Sequence, residues 1–147
     1  MEFAEKIASR YPKVGKVLEN DSATKVIRYE AFVDKNHVAE FARIVGYTGK
    51  GIPPTFFTFF RWGEFTWLTR MNVALETIVH TEQEYAYHSD IEAGVTLIAE
   101  TEVTQLRERR GLKMIDMTTN LFLEGQMVAS SHTSFLSREL SAPPEAK

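Results

Sequence analysis

Residues 46–68 read GYTGKGIPPTFFTFFRWGEFTWL, and this stretch decides the fold. It passes from a Gly-rich loop into Pro53-Pro54 and then into a segment with five Phe and two Trp among its last fourteen residues. Proline suits the first helical positions, whose N–H groups have no internal partner. A helix that is apolar nearly all round is buried nearly all round. Polar residues recur at Thr55, Thr58, Arg61 and Glu64, every third position, as one narrow stripe on an apolar rod. Gly63 inside the rod weakens it by roughly 1 kcal/mol relative to Ala, and its place there is to permit close approach of another backbone.

Upstream, Phe3, Ile7 and Tyr11 predict a short helix over 3–10 that ends before Pro12, with Val14, Val17 and Leu18 continuing it as a second turn. Asn20-Asp21-Ser22 has turn chemistry. Lys25–Val33 is β-branched and alternating enough for a strand. Asp34 is an N-cap for a helix carrying Val38, Phe41, Ala42 and Val45, which Gly46 closes. From Thr77 onward the chain reads as strands: Thr77–His88, Thr96–Arg107, Leu112–Leu123 and Gln126–Ser137. Leu97, Ala99 and Val103 share one face of the second of these, and Ile115, Met117, Leu121 and Leu123 one face of the third. Arg109-Arg110-Gly111 and Glu124-Gly125 are hairpin turns. The sum is an α+β domain over 1–138, with one long central helix wrapped by a curved antiparallel sheet, followed by a polar, Pro-rich, disordered tail at 139–147.

Composition narrows the function classes. The 147 residues suit one domain with a real core, and 44% hydrophobic with 25% charged residues is ordinary for a globular protein. A net charge of -3 recommends neither nucleic acid nor an anionic membrane as partner. The absence of cysteine excludes disulfides, thiolate metal sites and a Cys nucleophile. Charges interrupt the apolar positions of the N-terminus, and no window approaches the roughly 18 apolar residues of a membrane span. The expected location is the cytoplasm.

FARIVG at 41–46, PPTF at 53–56, HTEQEYAYHSDIEAG at 80–94 and the pattern from Gly125 through Val128 to Leu136 together resemble the MaoC-like dehydratases, in particular their N-terminal-type (FAS1-like dehydratase) hot-dog domain. The resemblance implies a hot-dog fold and a reversible hydration of enoyl thioesters carried on coenzyme A or acyl carrier protein, with no further cofactor and no metal. It also implies that a backbone N–H at the helix start, at Thr55 or Phe56, binds the thioester carbonyl. Free N–H groups and the positive dipole end lie where enolate charge develops. Active members carry an Asp…Asn-Pro…His loop before the central helix. Here only YTGKGI separates Gly46 from Pro53, without Asp, Asn or His. The expectation is therefore a non-catalytic half that pairs as a homodimer, or as a heterodimer with a catalytic hot-dog subunit.

Other side chains carry further expectations. His80 is a candidate catalytic residue for a hydratase that lacks the usual loop; it lies near Glu82 and Glu84 and shares a face with His88 by strand parity. A metal site from His80, Glu82 and His88 is too spread along the strand for one ion. His37 is expected to be solvated and His132 to be a hydrogen-bonded structural residue. Glu64 is either an ion-pair partner of Arg61 or the general base of a hot-dog thioesterase, because burial raises a carboxyl pKa toward a useful range. Phe57, Phe60 and Trp62 suit the wall of an acyl groove. Arg109, Arg110 and Lys113 form a solvated hairpin tip or meet coenzyme A phosphates or a carrier protein. A homodimer that binds acyl ligands without turnover is the remaining alternative.

Overall fold

The computed structural model describes residues 14–21 and 26–138. The helix expected over 3–10 and the tail at 139–147 lie outside them. Six antiparallel strands form one sheet: β1 (Val14–Asp21), β2 (Val26–Phe32), β3 (Ile78–Tyr87), β4 (Thr96–Arg109), β5 (Leu112–Leu123) and β6 (Gln126–Arg138), in the order β1-β2-β4-β5-β6-β3. The β4-β5-β6 meander follows from alternation plus turn chemistry. Ile115, Met117 and Leu121 are buried on the inner face. Arg110 and Gly111 take φ 53 and 76, and Glu124 and Gly125 take φ 50 and 81, the left-handed pairs that two-residue hairpins require.

Helix α1 (Lys35–Val45) is bounded as its sequence dictates. The Asp34 carboxylate accepts from His37 N at 2.7 Å, and Gly46 closes the helix at φ 73. His37 departs from expectation. Its ring packs edge-on against Phe56 and Phe59, at 4.8 and 4.4 Å between centroids, so the first turn of α1 clamps the central segment instead of leaving the imidazole in water. Val14–Leu18 is not a helical turn but part of β1. Pairing with the exposed edge of β2 over Val14↔Ala31 to Asp21↔Val26 overrides a short helical periodicity, and it also draws Asn20 and Asp21 out of the expected turn.

The central rod has the expected place against the sheet, but it is two pieces. A 3₁₀ segment (Pro54–Phe60) stops at Arg61 and α2 (Trp62–Arg70) begins. The cause lies in β2. The Tyr29 hydroxyl donates to the Phe60 carbonyl, which a continuous helix would have offered to the Glu64 N–H. That N–H bonds instead to Arg61 O at 3.0 Å. Three-residue spacing of polar side chains is the 3₁₀ period, and the break splits the stripe: Thr55 and Thr58 are exposed, Arg61 and Glu64 buried. Gly63 does mark a close approach, but to side chains rather than backbone. A Cβ there would lie 2.6 Å from Thr101 Oγ1 and 2.7 Å from the Tyr29 ring.

Gly63→Ala gains about 1 kcal/mol of helix propensity and meets overpacking of about 1–3 kcal/mol against two stiff side chains. Net destabilisation, read as a lower urea midpoint at unchanged m-value, is the expected outcome. An unchanged or higher midpoint would mean the contact relaxes freely.

Candidate functional site

Two regions gather polar chemistry. The first is the start of the 3₁₀ segment. Pro54 contributes no N–H, and the Phe56 N–H already donates to Pro53 O at 2.8 Å. The Thr55 N–H precedes that first internal bond, so of the two expected carbonyl-binding positions Thr55 is the one aimed outward. Beside it opens a cleft of about 210 Å³ lined by Tyr47, Lys50, Ile52, Pro54, Tyr87 and Asp90, among others. The short loop closes on itself there: the Tyr47 hydroxyl donates to Lys50 O at 2.9 Å, and Gly49 is the residue over which the Tyr47 ring folds. Ile52 N donates to Ile91 O at 3.3 Å, and the Tyr87 hydroxyl donates to Pro54 O, which ties the loop and helix start to the end of β3. Sequence spacing does not point to this cleft, because its walls come from segments that only the sheet order brings together.

The second region is Arg61 and Glu64. Arg61 donates from Nε to Glu64 Oε2 at 2.9 Å and from Nη2 to Oε1 at 3.1 Å. Thr119 Oγ1 donates to Glu64 Oε2 at 3.0 Å, and Thr119, Thr101 and Tyr29 continue the chain through contacts of 2.9 and 3.1 Å. Glu64 is 0% exposed. Desolvation pulls the Arg61 pKa down, and the Glu64 charge and hydrogen bonds, joined by Tyr85, outweigh it and hold the guanidinium above its ordinary value. The ion-pair role is the one the geometry fits: both carboxylate oxygens are occupied and the side chain is fully buried.

The other expected residues scatter. Among the described residues His80 does not meet a carboxylate. Its Nε2 lies 3.1 Å from Glu82 O, and its ring lies 5.2 Å from Phe135. A bulge between His80 and Glu82 breaks the parity that was to align it with His88, which lies beyond the end of β3. His132 Nε2 sits 3.4 Å from Ser134 Oγ. Phe57 stacks on Tyr85 at 5.1 Å, Phe60 is buried, and Trp62 lies edge-on to Tyr29 at 5.2 Å, so Phe57 faces β3 while Trp62 faces β2. Arg109, Arg110 and Lys113 occupy the β4–β5 tip, at the opposite end of the sheet from Pro54. Among the described residues no three His, Cys, Asp or Glu side chains gather as metal ligands, and no helix is long and apolar enough to cross a membrane.

A family model described as the FAS1-like dehydratase domain region matches residues 22–131. No curated protein matches the chain by sequence. Among solved structures, the HadBC (3R-hydroxyacyl-ACP dehydratase) complex of Mycobacterium tuberculosis is similar at TM-score 0.65 and 21% identity, over 82% of this chain and 100% of that one. HtdX of the same organism is similar at TM-score 0.69 and 22% identity over 77% of this chain, which spans only 51% of HtdX. A hypothetical thioesterase with coenzyme A from Streptococcus pneumoniae is similar at TM-score 0.63 and 8% identity, over 93% of this chain and 95% of that one. These likenesses establish the hot-dog fold.

Removing one member of a buried ion pair leaves the other charge uncompensated. Glu64→Leu should cost about 3–5 kcal/mol, and Arg61→Met with Glu64→Leu should restore most of it. Urea denaturation of the two variants measures this, and a single variant as stable as the parent would refute the sealed pair. Burial pushes the Tyr29 phenol far above its ordinary 10.0. Its contribution to stability is therefore complete below pH 10 and is lost as pH rises beyond it. In an alkaline ultraviolet titration Tyr29 should ionise only with unfolding, and parallel ionisation of every tyrosine in folded protein would contradict that.

Proposed function

The chain belongs to the FAS1-like dehydratase domain family, and from that premise we propose that it is a non-catalytic, acyl-thioester-binding hot-dog subunit serving an enoyl-thioester hydratase or 3-hydroxyacyl-thioester dehydratase. One observation carries this reading: the loop between Gly46 and Pro53 has no acid–base pair and is closed on itself by Tyr47 and Lys50. Water addition needs a base on water and a proton donor within hydrogen-bond reach. The remaining carboxylate on the central rod, Glu64, is bound to Arg61 and Thr119. The same sealing speaks against hydrolysis with Glu64 as base.

The catalytic pair then comes from a second hot-dog chain. The similarity to HadBC, crystallised as a complex, and the span of half of HtdX support a unit that works as one of two halves. The exposed edge of β3 is the natural seam, because an unpaired strand edge is a template for another strand. In this pairing the Thr55 N–H and the cleft beside Tyr87 hold the thioester end of the ligand. The chain acts in the cytoplasm on acyl groups carried by coenzyme A or acyl carrier protein.

The purified chain, assayed with crotonyl and longer enoyl thioesters, should show no loss of the conjugated double bond while light scattering reports a dimer. Addition of a hot-dog chain that carries the Asp…His loop should produce turnover. Hydration by the chain alone would overturn the non-catalytic assignment, and thioester hydrolysis abolished by Glu64→Ala would replace it with a thioesterase.

A further inference from the structure

The face of the sheet away from the core carries exposed apolar and basic residues at the end away from Pro54. Strand register puts Arg107, Met114, Leu136 and Val79 in one row across β4, β5, β6 and β3, and Arg109, Leu112 and Arg138 in the next. All lie opposite Ile115 and Phe135, which point into the core. Val79, Met114 and Leu112 are 57%, 45% and 36% exposed, and the arginines are exposed as well. Arg110 adds a further cation in the turn. The nearest acid on β4, Glu108, pairs across to Lys113 on the other face. Asp116 and the exposed Glu82 lie one row further in, on either side of Ser134, whose Oγ donates to the Asp116 carboxylate at 2.7 Å.

The geometry points to this end of the outer face as a docking surface for an acidic carrier protein that bears the acyl thioester on its phosphopantetheine arm. Coenzyme A phosphates would need only the cations; the exposed apolar row between them has a use only against a folded surface. Arg and Met with aliphatic neighbours is the composition of a protein interface rather than of a solvated tip. Four clustered arginines outnumber the two acids of the adjoining row, Asp116 and Glu82, and a net positive patch selects a partner of opposite sign.

The inference rests on the proposed pairing with a catalytic chain, and it gives that pairing a direction. Along β3, Val79 and Tyr87 are eight steps of ~3.3 Å apart, roughly 26 Å, so a carrier docked here is remote from this chain's own cleft. Antiparallel pairing through β3 places the partner's cleft end beside this chain's Val79 end. A carrier docked on this chain therefore delivers to its partner.

The test titrates the full-length chain alone with holo-acyl carrier protein, with the same carrier lacking its pantetheine, with coenzyme A and with anionic phospholipid vesicles. Both carrier forms should bind, and added salt should weaken them. Arg107→Glu with Arg109→Glu, and separately Met114→Ser, should each weaken carrier binding about tenfold with circular dichroism unchanged. In the reconstituted complex the same variants should raise KM for enoyl-carrier and leave turnover of enoyl-coenzyme A intact. Carrier binding that needs the pantetheine and ignores both variants would overturn the docking surface, as would binding confined to vesicles. A failure of the complex to turn over either thioester would instead count against the pairing, since docking is measured without the partner.

Discussion

A buried guanidinium–carboxylate pair organises this molecule. Arg61 and Glu64 sit where the 3₁₀ segment hands over to α2, and the carboxylate is also bound to Thr119 on β5. Thr119 passes to Thr101 on β4, and Thr101 to Tyr29 on β2, whose hydroxyl returns to the Phe60 carbonyl. The loop of contacts crosses three neighbouring strands and comes back to the rod one residue from where it began. A hydrophobic pair of similar volume would hold the rod against the sheet about as firmly. It would not fix where the rod breaks, because apolar packing is non-directional. The chain of directed bonds leaves one residue, Arg61, at the break, and Gly63 supplies the room that lets Tyr29 and Thr101 reach the rod.

That break sets the geometry of the cleft. Because the first piece is a 3₁₀ segment, its prolines and its Phe56–Pro53 bond leave Thr55 as the leading amide. Tyr87 and Ile91 then tie the same end to the sheet. The result is a positioned amide beside a polar cleft, with no proton-transfer pair on the adjoining loop.

Features written in neighbouring residues were legible in the sequence. Asp34 and Gly46 bound α1, and Arg110-Gly111 and Glu124-Gly125 fix two hairpins by left-handed pairs. The ion pair was legible from its three-residue spacing. What was hidden depends on partners far along the chain. The rod breaks because of Tyr29, 31 residues before Phe60. Val14–Leu18 is a strand because β2 offers an edge. His37 is packed because Phe59 folds back over it. The bulge between His80 and Glu82 shifts side-chain parity by one and moves His80 away from its expected companions. The cleft was hidden for the same reason: Tyr47 and Asp90 become neighbours only through the sheet order.

The two edges of the sheet differ, and the difference bears on polymerisation. The β1 edge carries register shifts between Val14 and Val17 and again between Val17 and Glu19, so its outward amides are unevenly spaced. The β3 edge is regular from Glu82 to Tyr87 and interrupted only beyond it, at the bulge. A β3 edge can mate with another regular edge but not in register with β1. An irregular edge is a poor template, so among the described strands addition is disfavoured at β1 and open at β3. A sheet that can lengthen from one side only resists the repeated addition on which fibrils depend.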